Sequence, residues 1–176
     1  MKNFVFVPEF TKIMAYIESR GLVSVIITNG HHKVQRDKLS ACGAYAFFPR
    51  SDRIIVGGEE LLKGRKEKPD ASIFMQACKA AGCEPHEAIH VGDNLSTDIQ
   101  VRETSLYFNL PSASHAFSNF FCSYLLGGNN AGLRATIWVN SHTKETITNK
   151  QTKPTYVVKT IGEVPAVIDH LMMHSE

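Results

Sequence analysis

Between Pro8 and Gly21 the apolar residues fall at Phe10, Ile13, Met14 and Ile17, a spacing that lines one face of a helix and predicts a helix over 8–20. Leu22 to Ile27 is a nearly continuous apolar run rich in Val and Ile, the signature of a strand buried on both faces. Residues 32–42 predict a weaker helix with Val34, Leu39 and Cys42 inward, and Arg53 to Val56 predicts a short strand closed by Gly57-Gly58. Residues 59–68 read as a charged connection, after which Pro69 is expected to open a helix with the stripe Ile73, Phe74, Ala77 and Cys78, ended by Gly82. Ala88–Val91, Ala135–Val139 and Tyr156–Val158 predict further strands. Ile161–Met173 predicts a closing helix with Val164, Val167, Ile168, Leu171 and Met172 inward.

Strands alternating with helices imply a parallel α/β sheet, with ligands at the carboxyl ends of the strands. The 176 residues suffice for one domain, and no internal repeat interrupts it. Val101 to Leu126 breaks the pattern: Tyr107, Phe108, Phe117, Phe120, Phe121 and Tyr124 stand among serines and asparagines without a period. It reads either as a loop with an aromatic anchor or as an atypical insertion at about 101–126, from alternative splicing or an error of gene assembly.

Composition narrows the class. Apolar residues make up 43% and charged residues 20%, as in a globular chain, and a formal charge of +2 argues against nucleic acid as a partner. Cys42, Cys78, Cys83 and Cys122 form no CxxC pair, so they read as reduced thiols and lack the ligand spacing of a zinc site. The short apolar run after Met1 is cut off by Pro8 and Glu9, unlike a signal peptide. No apolar stretch approaches the roughly 20 residues a bilayer requires. A cytoplasmic chain with no membrane partner is expected.

Three polar segments follow predicted strands or open loops: Thr28-Asn29-Gly30, Lys68-Pro69, and Gly92-Asp93 with Asp98. A Thr hydroxyl and free backbone N–H groups at a strand end can cradle phosphate oxygens, and Gly30 permits the tight backbone that exposes them. An ammonium such as that of Lys68 neutralises charge on a carboxylate or a transferring phosphoryl group. Two carboxylates at a loop–helix junction, Asp93 and Asp98, can hold Mg²⁺. Each segment alone has a plainer reading: a turn, a solvated surface lysine, an aspartate favouring a helix N-terminus. His90 and Trp138 read as packed core residues, and Lys63–Lys68 as a solvated loop or a basic lure for an acidic substrate.

In this order the segments resemble the haloacid dehalogenase-like superfamily, over roughly residues 10–100 and again 127–173. Thr28 matches its second motif, Lys68 its third, and Gly92, Asp93 and Asp98 its fourth, GDxxxxD. The wording around Gln35-Arg36-Asp37-Lys38-Leu39, Val56-Gly57-Gly58-Glu59 and Gly127-Gly128-Asn129-Asn130-Ala131-Gly132-Leu133 looks like the N-acylneuraminate-9-phosphatase subgroup. The resemblance implies a Rossmann-like parallel sheet flanked by helices. It also implies magnesium-dependent hydrolysis of a sugar phosphate, N-acylneuraminate 9-phosphate, through a phospho-aspartate. Thr28, Asn29 and Gly30 would hold the phosphoryl group with Lys68. Lys68 and Asp93 would be catalytic, and Asp93 and Asp98 would bind the metal.

The family's DxDxT motif has no match before Thr28. The first aspartate is Asp37, on a predicted helix, and Glu9 and Glu18 sit on or beside another. The expectation is therefore a partial core, incomplete at its N-terminus and without a cap domain. The missing strand would lie between Leu22–Ile27 and Ala88–Val91, leaving open edges or a rearranged sheet, lower stability and a tendency to aggregate. Such a chain alone would be weak or inactive. The alternative is a catalytically dead phosphate- or metal-binding relative, or a truncated isoform.

Overall fold

The computed structural model describes residues 6–94, 131–141 and 153–174. Helices α1 (Phe10–Ser19), α2 (His32–Ala41), α3 (Ala44–Phe47), α4 (Gly57–Leu62), α5 (Ala71–Ala81) and α6 (Val164–Met173) surround strands β1 (Ile26–Thr28), β2 (Ile54–Val56), β3 (Ile89–Gly92), β4 (Ala135–Val139) and β5 (Tyr156–Val158). All observed strand pairs are parallel, as the alternation of elements requires. Among the described residues the strands form two sheets rather than one, β1-β2 and β3-β4-β5.

The two sheets share one apolar cluster, and α5 packs on both, through the second cluster and through Phe74 against His90 of β3. On one face Ile26, Ile54 and Val56 share a core with Ile89, Val91, Ile137 and Val158, covered by α1 and α6. On the other, Val25, Ile27 and Ile55 join Ala88 under the α5 stripe of Ile73, Phe74, Ala77 and Cys78. Side-chain packing therefore joins the two sheets, between which no ladder runs among the described residues.

α5 forms as its stripe predicts, with one correction at its start. Pro69 stands before the helix, and Asp70 caps it, its carboxylate accepting from the Ser72 N–H at 3.0 Å. Gly82, at φ +79°, takes the left-handed conformation that ends it. Gly57-Gly58 do not close β2 into a loop. They begin α4, so the charged connection shrinks to the residues after Leu62. Val34 faces outward at 48% exposure, and only Leu39 of the predicted α2 stripe is buried. The run from Leu22 pairs only over Ile26–Thr28, since its partner β2 is itself three residues long. α1 and α6 meet where the Tyr16 hydroxyl donates to Asp169 at 2.7 Å, and burial together with that bond raises the phenol to about 12. The aromatic stretch 101–126 and Cys122 lie outside the described residues.

Candidate active site

β1 ends at Thr28, and the chain must turn at once into α2. Gly30 makes that turn at φ +117°, in the left-handed region that excludes most side chains. A Cβ there would also lie 2.7 Å from Gln35 Nε2. Gln35 packs over the turn from the first part of α2, and the Thr28 hydroxyl donates to its Oε1 at 3.3 Å. In the sequence Gln35 stands out only within the stretch that resembles the family. Its polar position one turn into the helix after the Thr-Asn-Gly segment was the available signal.

Asn29 has a larger task than the sequence assigns it. Its Nδ2 donates to the Lys68 carbonyl at 2.7 Å, and its Oδ1 accepts from the Lys68 N–H at 3.1 Å. The carboxamide thus binds both backbone groups of a residue 39 positions away. At this position the carboxamide is spent on the Lys68 backbone rather than left to meet an anion. The loop after β2 is drawn in as well: a Cβ on Gly57 would approach Asn29 Oδ1 to 2.9 Å, and one on Gly58 the Gly30 carbonyl oxygen to 2.3 Å. Behind this knot Arg36 forks onto Glu59 at 2.7 and 2.8 Å, tying α2 to α4. That bond holds the Glu59 carboxyl below its ordinary range.

Clamped by Asn29, Lys68 turns inward. Its side chain is 6% exposed, and Nζ donates to the Ile27 carbonyl at 3.4 Å. It is a buried cation at the end of β1, not the solvated lysine its neighbours Lys63, Arg65 and Lys66 suggest. Its charge reaches the other sheet. His90, on β3 and fully buried, is held well below the ordinary histidine range, first by burial and then by the Lys68 ammonium. His90 is therefore neutral core against Phe74, as the sequence predicts.

Asp93 follows β3 directly, with its side chain exposed. Its carbonyl accepts from the indole N–H of buried Trp138 at 3.1 Å, which fixes the backbone while leaving the carboxylate at the surface. Lys68 is thus bonded to Ile27 and Asn29, which flank Thr28 at the carboxyl end of β1, and Asp93 follows the carboxyl end of β3. Asp98 lies outside the described residues. Magnesium takes oxygen ligands and keeps several waters, so the exposed Asp93 carboxylate has suitable donor chemistry. Among the described residues, no three His, Cys, Asp or Glu side chains gather into a metal site.

The sequence has relatives of known name. The chain is 33% identical over 147 residues to N-acylneuraminate-9-phosphatase of Mus musculus, an alignment covering 84% of this chain and 46% of the relative. The Homo sapiens protein of that name gives the same identity and coverage. A phosphoserine phosphatase of Thermus thermophilus is 34% identical over 93 residues, covering 53% of this chain and 34% of its own. The chain thus spans about half the length of the mammalian relatives it matches. The crystal structure of a haloacid dehalogenase-like family hydrolase from Xanthomonas campestris superposes with a TM-score of 0.59 at 15% identity. That superposition covers 94% of this chain and 54% of that one, and it establishes the α/β fold. Residues 3–102 match the haloacid dehalogenase-like hydrolase family, which takes in α1 through β3, and the chain belongs to that family.

Proposed function

We propose that this chain is the core of a magnesium-dependent phosphomonoesterase acting on a sugar phosphate, with N-acylneuraminate 9-phosphate as substrate. The observation that carries the reading is the buried Lys68 ammonium, fixed through Asn29 beside Thr28 at the carboxyl end of β1. A cation held in low dielectric attracts a phosphoryl group far more strongly than a solvated one. The Thr28 hydroxyl and the backbone N–H groups of Asn29 and Gly30 would take the phosphoryl oxygens, and Lys68 would neutralise the charge that builds during transfer. Asp93, with Asp98, would hold the magnesium ion, which when bound offsets repulsion between carboxylate and phosphate. The likeness to the mammalian N-acylneuraminate-9-phosphatases supports this choice of substrate.

A second reading rests on the carboxylates near the N-terminus. Before Thr28 these are Glu9 and Glu18, both exposed, one at the start of α1 and one on it. Neither lies at a strand end, where a nucleophile would meet phosphorus beside Lys68. The chain by itself is then weak or inactive, and holds phosphate or metal without turnover. The test is phosphate release by this chain with Mg²⁺ from N-acetylneuraminate 9-phosphate, phosphoserine and glyceraldehyde 3-phosphate. Turnover abolished by Asp93→Asn establishes the enzyme. Saturable binding of phosphate or Mg²⁺ without turnover establishes the second reading, and neither turnover nor binding overturns both.

A further inference from the structure

The end of α5 carries a pair of thiols that the phosphatase reading leaves unused. Three bonds close the helix at Gly82: its own N–H is shared between the Cys78 and Lys79 carbonyls at 2.9 and 3.2 Å, and the Cys83 N–H reaches back to the Cys78 carbonyl at 3.0 Å. This is the Schellman arrangement, in which the residue after the glycine packs onto the residue five positions earlier. Here the two residues that arrangement brings together are both cysteines. Cys78 is buried at 2% exposure in the cluster beneath α5, and Cys83 packs against the same cluster while half-open to solvent. Cys42 belongs to the cluster on the opposite face and bonds the Leu39 carbonyl, so it does not compete.

We propose that Cys78 and Cys83 form a dithiol site that closes to an intramolecular disulfide by exchange with a low-molecular-weight disulfide such as oxidised glutathione. The partly exposed Cys83 thiolate attacks one sulfur of the glutathione disulfide, forming a mixed disulfide and releasing one glutathione thiolate. Cys78 gives up its proton, attacks the Cys83 sulfur and expels the second glutathione. Two protein thiols are oxidised, and one glutathione disulfide is reduced to two glutathiones. The geometry suits the closure: bridged cysteines need Cα atoms roughly 4.4–6.8 Å apart, and one main-chain hydrogen bond already spans these two residues. The chemistry suits it too, since the bond from the Cys78 thiol outweighs burial and lowers the Cys83 thiol below its ordinary value. The buried partner cannot meet glutathione itself, so the order of attack is set by exposure.

The experiment treats the whole folded chain with oxidised glutathione, blocks remaining thiols by alkylation, and maps tryptic peptides by mass. Cleavage after Lys79 separates the two cysteines, so the expected product is a disulfide-linked pair of peptides, 67–79 and 80–102. In Cys78→Ser the glutathionyl group should stay on Cys83. In Cys83→Ser, Cys78 should remain reduced. Closure should also be faster in the folded chain than in urea, where the glycine turn is lost. A stable glutathionyl adduct on Cys83 of the unaltered chain would overturn the proposal. So would pairing with Cys42 or Cys122, recovery of both thiols alkylated, or closure no faster than in urea.

Discussion

Replacing Asn29 by alanine removes both hydrogen bonds to the Lys68 backbone, at 2.7 and 3.1 Å, and fills their place with nothing. A typical intramolecular hydrogen bond contributes about 1 kcal/mol net, and a buried group left without its partner costs about 1–3 kcal/mol. Lys68 is buried, so its N–H and C=O are poorly placed to find water, whereas Asn29 is only half-buried and some water can follow its truncation. The expected loss is about 2–3 kcal/mol, between the sum of two ordinary bonds and that of two orphaned groups. Urea unfolding measures it. Trp138 is the chain's single tryptophan and is buried on β4, so its fluorescence reports the sheet that Asn29 does not belong to. Circular dichroism reports the helices. An unchanged urea slope with a lowered midpoint in both signals would place the loss in the native state. Asn29→Asp is the sharper variant. It keeps the acceptor for the Lys68 N–H but sets a carboxylate oxygen against the Lys68 carbonyl, so it should destabilise at neutral pH and recover in part as the carboxylate is protonated. A loss below about 0.5 kcal/mol for Asn29→Ala would refute the clamp, since one net bond is worth more than that.

Gly58→Ala should destabilise by about 1–3 kcal/mol, as overpacked sites do, because the new Cβ would meet backbone, the Gly30 carbonyl oxygen, at 2.3 Å; a thermal midpoint equal to that of the unaltered chain would contradict the close approach. His90 stays neutral in the fold while the unfolded chain titrates near pH 6.5, so stability is level above that pH. Below it, each unit of acidification costs up to about 1.4 kcal/mol. His90→Gln should therefore flatten the dependence of unfolding free energy on pH between about 6.5 and 5, by up to one proton; parallel curves would rule this out. Trp138→Phe should cost about 1–3 kcal/mol by leaving the Asp93 carbonyl without its donor, and should weaken Mg²⁺ binding, measured calorimetrically, if that carbonyl's anchor positions the carboxylate.

The parts of the fold readable from the sequence are those that local pattern decides. The α5 stripe ends at a glycine because no other residue sits easily at φ +79°, and β4 reads as a strand because all five of its residues are buried. α4 was hidden because Gly57-Gly58 read as punctuation. Their real constraint is the Gly30 turn pressed against them, 27 residues or more away along the chain. Lys68 was legible as a charge but not as a buried one, since its burial follows from a bond to Asn29 that only the folded chain makes. The Asp70 cap was missed because Pro69 offered a stronger signal for the same helix start.

The break between the two ladders has a mechanical consequence. A ladder of main-chain bonds resists sliding, whereas interdigitated aliphatic side chains yield by fractions of an ångström when their volumes change. The ammonium of Lys68 rides with the strand on one side of that joint, and the carboxylate of Asp93 with the strand on the other. A change of volume at Ile26 or Val91, which share one core cluster, would therefore be felt by both strands without breaking a main-chain bond between them.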